Sequence, residues 1–388
     1  MKTNFSLLTT ILVCLFLASC VDDAVDFEEF NYRPEDYNIL TQTLDLPENP
    51  FEYTVELPSY MTRTGLFARP ISDNRATLGR VLFYDKSLSH NKSLSCAGCH
   101  KQELAFADNR KFSLGFKGEE TERNSLALGS VVSFAAYYGA TSRAGLPFFW
   151  DERASSVSVQ SLATLTNNVE MGMTRSDIVS AVKEKEYYRV LFEAAYRDAE
   201  ITEERILLAL ESFVDGIGSY ESKLDKAIEA EGDFFNIEEN LRGLSTQENR
   251  GKAMFIQNCG SCHGRELARP GMPSANNGLD LRYADKGMGL IYGSSQFNGV
   301  FKVPALRNVE VTGPYMHDGR FESLEEVLDF YSEGIQNHTN LNPFLREENG
   351  SPKRFNFSQQ DKDDIISFLR TLTDHEMMSY EKYSNPFK

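Results

Sequence analysis

Two pentapeptides, Cys96-Ala97-Gly98-Cys99-His100 and Cys259-Gly260-Ser261-Cys262-His263, decide how this chain is read. Each is a CxxCH sequence, the attachment signature of a c-type haem. Two thiols at this spacing can bond the vinyl groups of one porphyrin, and the histidine that follows then lies under the iron as its proximal ligand. A single copy is also compatible with a redox dithiol that happens to precede a histidine. Two copies 163 residues apart, with no other cysteine in the folded body, point to two covalently bound haem c groups. Cys96, Cys99, Cys259 and Cys262 are the expected attachment residues, and His100 and His263 the expected axial ligands.

The other two cysteines, Cys14 and Cys20, fall in the first twenty residues. Residues 1–19 read as a signal peptide: Lys2 is the positive end, an apolar run from Phe5 to Leu17 follows, and Ala18 and Ser19 are small. Leu17-Ala18-Ser19-Cys20 has the form of a bacterial lipobox, which makes Cys20 the expected lipidation site. The bland reading is an ordinary cleavage site beside an incidental cysteine. Haem attachment to CxxCH normally happens outside the cytoplasm, so both signals place the chain in the periplasm or cell envelope, held to the membrane through its N-terminal lipid only. The apolar run is too short to count as a permanent span. With 388 residues there is material for two or three domains. A net charge of −17 argues against nucleic acid and favours a soluble body that meets a basic partner.

Ser245-x-x-Glu248 has the form of a capping box, opening a helix that delivers the chain to Cys259. Ala76 to Phe83 is the equivalent lead-in to the first motif. Ile206, Leu207, Leu210, Phe213, Ile217 and Tyr220 recur at helical spacing and should close the first module. Lys362 to Leu372 should close the second. Glycine and asparagine fill Ala275 to Gly299, as expected of loops around a large flat cofactor. The expected class is all-α: two cytochrome-c-like haem domains with long wrapping loops. The expected boundaries are 20–65 for a lipid-anchored tether or N-terminal arm, 66–240 and 241–376 for the haem domains, and 377–388 for a tail.

Further stretches carry a resemblance. Leu78-Gly79-Arg80-Val81-Leu82-Phe83-Tyr84-Asp85, Arg123-Asn124-Ser125, Phe149-Trp150-Asp151, Asn167-x-x-Glu170-Met171, Leu306-Arg307-Asn308-Val309 and Thr312-Gly313-Pro314-Tyr315-Met316-His317-Asp318-Gly319 follow one another in order. Together with the haem motifs they span roughly residues 70–375 and resemble the bacterial di-haem cytochrome c peroxidases. That family also contains the enzyme that matures the tryptophylquinone cofactor of methylamine dehydrogenase. The resemblance implies that peroxide reacts at the N-terminal haem on His100, while the C-terminal haem on His263 stores or passes an electron. It makes Trp150 an electron relay between them, a role compatible with the plain reading of a core aromatic. It makes Glu170 the acid–base group that moves a proton between the peroxide oxygens; without it, Glu170 reads as a solvated turn residue. It also implies a structural calcium between the domains, held by the Asn124 side chain and the Thr312 and Pro314 carbonyls, hard oxygen ligands that suit such a cation.

Two positions depart from the peroxidase pattern. Where many members carry a distal histidine for the first haem, Ser113-Leu114-Gly115-Phe116 ends in phenylalanine, which cannot bind iron. His90 is the only other histidine nearby, in a polar run. Where members carry a methionine ligand for the second haem, counting fourteen residues from His317 reaches Tyr331, the arrangement of the quinone-maturation enzyme. A phenolate there would favour ferric iron. Met316 is the rival ligand, and Tyr331 also reads as a core aromatic at helical spacing from Leu324 and Val327. The expected function is a cytochrome-c peroxidase reducing hydrogen peroxide to water, fed by a small donor protein such as a c-type cytochrome or cupredoxin. The alternatives are peroxide-dependent oxidation of a protein or organic substrate by a high-valent di-haem state, and a non-enzymatic di-haem electron carrier.

Overall fold

Two glycines set the architecture. Helix α1 (Asp73–Tyr84) is capped by Ser72 and crosses α4 (Glu203–Asp215) at Gly79, where a Cβ would lie 1.9 Å from the Ala209 carbonyl oxygen. Helix α5 (Thr246–Asn258) crosses α7 (Gln359–Arg370) at Gly251, where a Cβ would lie 1.8 Å from the Asp364 carbonyl oxygen. Only a residue without a side chain lets the backbones approach so closely. One turn beyond each glycine an aromatic pair fills the crossing: Phe83 on Phe213 with ring centroids 5.2 Å apart, and Phe255 on Phe368 at 5.3 Å. The computed structural model describes residues 31–388 apart from 64, 67, 69, 130–147, 233–235, 266 and 268–270.

Around the first crossing, α2 (Val157–Thr166) packs on α4, and α3 (Glu186–Tyr196) packs on α1. Around the second lie α6 (Leu324–Asp329) and loops rich in glycine and asparagine. The described residues are rich in helix. Their one sheet pairs Ser274–Ala275 with Phe301–Lys302, antiparallel. The capping box at Ser245 and Glu248 forms as the sequence reading requires, and Ser358 with Asp361 makes another at the start of α7. Helix α4 is shorter than its apolar periodicity. It stops before Gly216, where Tyr53 packs 3.2 Å from the site a Cβ would take, so Ile217 and Tyr220 are buried from an irregular segment.

The chain ends are interwoven with the modules. Leu40, Leu44, Leu46 and Tyr53 lie in the first core, whereas Val55, Tyr60, Met61 and Leu66 lie in the second. The C-terminal residues return to the first module. Arg80 Nε donates to the Ser384 carbonyl (2.7 Å), the Tyr53 hydroxyl donates to Lys382 (2.8 Å), and Met377 and Tyr383 join that core. A buried ionic knot ties the arm to the second module. Arg307 donates to both Asp225 carboxylate oxygens (2.8 and 2.9 Å) and to the Tyr60 hydroxyl (2.7 Å), which itself donates to Asp225 (2.7 Å).

Candidate active site

A cavity of about 790 Å³ runs between the modules and is walled by both CxxCH segments. Cys96–Gly98 forms a 3₁₀ turn, and the His100 amide donates to the Cys96 carbonyl at 3.0 Å. In the second module α5 runs straight into Cys259, and the His263 amide donates to the Cys259 carbonyl at 3.0 Å. His100 Nδ1 lies 2.9 Å from the Phe106 carbonyl oxygen, and His263 Nδ1 lies 3.2 Å from that of Pro304. Each ring therefore donates through Nδ1 and keeps Nε2 free for a metal, the arrangement that fixes a ligand histidine in one tautomer. Burial pushes both imidazoles toward the neutral form, His263 to about 4.

All four thiols lie on the cavity wall. Burial pushes Cys96 to about 12, Cys99 to about 11 and Cys259 to about 12. A redox dithiol needs a depressed thiol pKa. Protonated thiols beside neutral histidines on the wall of a large cavity fit two thioether-bound haems instead.

Over the first motif, two loops close against each other. The Phe116 amide donates to the Glu170 carbonyl (3.0 Å), and a Cβ on Gly115 would sit 1.7 Å from the Val169 carbonyl oxygen. The Phe116 ring is turned into the protein against Gly172 and His90, whose ring lies 5.7 Å away, and neither Phe116 nor His90 lines the cavity. Glu170 does line it. Burial raises its carboxyl pKa, partly opposed by the Thr164 hydroxyl and the charge of Arg153. Arg153 is held by Asp151 (2.7 Å) and lies over the Phe149 ring at 3.5 Å.

Trp150 belongs to both modules. Its Nε1–H donates to the Asn124 carbonyl (2.9 Å), and its own carbonyl accepts from the Lys302 amide (2.8 Å). The Asn124 amide donates to the His317 carbonyl (2.8 Å), which brings Asn124 to the loop containing Thr312 and Pro314. All three calcium candidates lie on the cavity wall. Over the second motif, Tyr331 lies in a π-helical turn, Phe330–Gly334, that continues α6. Its hydroxyl lies 3.5 Å from the Asn277 side-chain nitrogen, which also lies 3.6 Å from the Met316 sulfur. Burial holds the phenol protonated, partly opposed by the hydrogen bond from Asn277.

Residues 73–233 match the di-haem cytochrome c peroxidase family profile. Over 314 residues the chain is 30% identical to the methylamine utilization protein MauG of Methylorubrum extorquens, covering 79% of this chain and 80% of that protein. The chain belongs to the di-haem cytochrome c peroxidase family. It is 29% identical over 309 residues to the cytochrome c551 peroxidase of Nitrosomonas europaea, covering 78% of this chain and 81% of that one. The crystal structure of a MauG-like protein associated with microbial copper homeostasis superposes with a TM-score of 0.70 at 28% identity, covering 88% of this chain and 98% of that one. As a di-haem peroxidase, the protein is an enzyme whose family carries two haem c groups.

In this di-haem peroxidase the cavity collects His100, His263, Glu170, Trp150, Tyr331 and Met316. Cys20 lies outside the described residues. Arg153, Thr164 and Asn277 were not singled out in the sequence. Arg153 sits just beyond Phe149-Trp150-Asp151 and could have been flagged from there; Thr164 and Asn277 carry no local signal. Among the described residues no helix is long and apolar enough to cross a membrane.

Proposed function

We propose that this di-haem peroxidase reduces hydrogen peroxide to water on the His100 side of the cavity, with electrons passed through the second haem. The observation that carries this reading is the wall over the first motif. It offers a buried carboxyl group, Glu170, and among the described residues no histidine other than His100 on that side. Haem bound there supplies the redox iron. Glu170 accepts a proton from one peroxide oxygen and returns it to the other, which leaves as water. Arg153 and Thr164 favour the ionised carboxylate needed for the first transfer, while burial favours the acid needed for the second.

Trp150, bonded to both modules, is the electron relay. Tyr331 would hold the iron of the second haem through its phenol oxygen, with Asn277 orienting that oxygen. Asn124, Thr312 and Pro314 hold a calcium that keeps the two modules in register. Electrons come from a small c-type cytochrome or cupredoxin, and a lipid on Cys20 keeps the protein in the cell envelope. Tyr331 and the MauG relatives support a second reading, in which the same peroxide chemistry draws its electrons from a protein or organic substrate.

Resting-state EPR and optical spectroscopy followed by peroxide titration test the reading. A high-spin ferric first haem that reacts with peroxide in the fully oxidised protein is expected. A resting protein with two six-coordinate haems and no peroxide reaction would leave only the electron-carrier role. Intact mass should report two haems per chain and a diacylglyceryl group on Cys20; a mature mass without the lipid removes the anchor.

A further inference from the structure

From His100 a ladder of rings leads to the surface. Phe83 lies 6.5 Å from the His100 ring, 5.9 Å from Phe106 and 5.2 Å from Phe213. Both phenylalanines reach Tyr383, at 6.2 and 6.5 Å, and Tyr383 lies 6.1 Å from Tyr380, which is half-buried. Each step is within the range of ring contact. The second module has no counterpart: among the described residues no further ring stacks on its Phe255–Phe368 pair.

The two tyrosines at the end are unequal, and the inequality points outward. The Tyr383 hydroxyl donates to the neutral Gly216 carbonyl (2.8 Å), which cannot take its proton. The Tyr380 hydroxyl donates to the Glu376 carboxylate (3.1 Å), which can. The Lys382 ammonium stands 5.2 Å from the Tyr383 ring and 6.0 Å from that of Tyr380, so it opposes positive charge more strongly on the inner ring. A hole that arrives at Tyr383 is therefore better held on Tyr380.

We propose that Tyr383 and Tyr380 form a second exit for oxidising equivalents, ending in a surface site where small one-electron reductants, such as phenols, are oxidised. The proposal rests on the peroxidase reading and adds a route that bypasses Trp150 and the second haem. In each event the Tyr380 O–H bond breaks, its electron passes inward and its proton goes to Glu376. An external reductant then restores the phenol with one hydrogen atom. Two such events balance one peroxide: one hydrogen peroxide and two phenols give two waters and two phenoxyl radicals.

The test adds hydrogen peroxide to the oxidised holoenzyme without a protein donor, in the presence and absence of a nitroso spin trap. Peroxide consumption is followed alongside rapid-freeze EPR and peptide mass spectrometry. A tyrosyl radical and an adduct on Tyr380 are expected, with both lost in Tyr380→Phe and the radical yield reduced in Glu376→Gln. If the holoenzyme consumes peroxide but the adduct maps elsewhere, or the radical survives in Tyr380→Phe, the exit is overturned and the peroxidase reading stands. If peroxide is not consumed at all, both fall together.

Discussion

In the first module Gly79 crosses Ala209 and Phe83 packs on Phe213; in the second Gly251 crosses Asp364 and Phe255 packs on Phe368. Both modules hold the histidine of CxxCH by a backbone carbonyl, Phe106 in one and Pro304 in the other. Above the histidines the likeness ends. The first cavity wall presents Glu170 and turns Phe116 away, whereas the second presents Tyr331 and Met316 around Asn277. The helix crossing fixes where a haem can sit, and the loops over it fix what that haem can do.

Glu170→Gln is the sharpest way to break this division. It should slow the peroxide reaction by roughly 10²–10⁴-fold, the usual worth of a general acid–base group, while leaving both haem spectra intact. Burial raises the Glu170 pKa, so the carboxylate that starts the proton transfer forms later than for a free glutamate. The wild-type rate should therefore climb as pH rises through that raised value, and the climb should vanish in the variant. Stopped-flow rates within about threefold of wild type would remove Glu170 from the mechanism.

Asp225→Ala probes the knot that ties the second module to the arm. It leaves a buried Arg307 uncompensated and should cost about 3–5 kcal/mol in denaturant unfolding. Burial alone would raise the Asp225 pKa, but Arg307 outweighs it and the net shift is downward. Its contribution is complete above the unfolded carboxyl value of about 4 and is lost as pH falls through the lower folded value. A wild type that keeps its full stability through that window would show that the pair contributes little.

Gly79→Ala and Gly251→Ala test whether the crossings are equivalent. Each forces a Cβ onto a facing carbonyl and should destabilise its own module by about 1–3 kcal/mol. Optical and EPR spectra should show the first variant disturbing the His100 haem environment and the second that of His263. Equal disturbance of both haems by either variant would mean that the modules do not respond separately.

Tyr331→Phe carries the smallest expected rate effect and sharpens the comparison most finely. The low-spin signature of the second haem should disappear, while the initial peroxide reaction at the first stays within about threefold, because Tyr331 takes no part in that proton transfer. Met316→Leu should leave the low-spin signature in place. The reverse outcome would assign the ligand to Met316.

Much of this division was legible along the chain because its carriers are contiguous. CxxCH binds through neighbouring residues, so two pentapeptides suffice to count haems, and the capping box at Ser245 and Glu248 marks a helix that needs no distant partner. Glu170 and Trp150, which line the cavity, drew notice only through the family resemblance, since a single glutamate or tryptophan has no local signature of a role. The extent of α4 was misread because periodicity follows burial, and Ile217 and Tyr220 stay buried after the helix has ended against Tyr53.

The sequence by itself determined that the chain carries two CxxCH segments, each ending in a histidine, and that phenylalanine stands at position 116. Only the tertiary structure decided that Phe116 faces away from the cavity, that Arg153 and Thr164 surround Glu170, and that Asn277 stands between Tyr331 and Met316. It also decided that the last residues of the chain return to the first module and set Tyr383 behind its proximal histidine. The physical reason is the range of the forces involved. Attachment and capping act over a few residues, whereas the walls of a cavity are built by residues far apart in sequence, brought together only when the core packs.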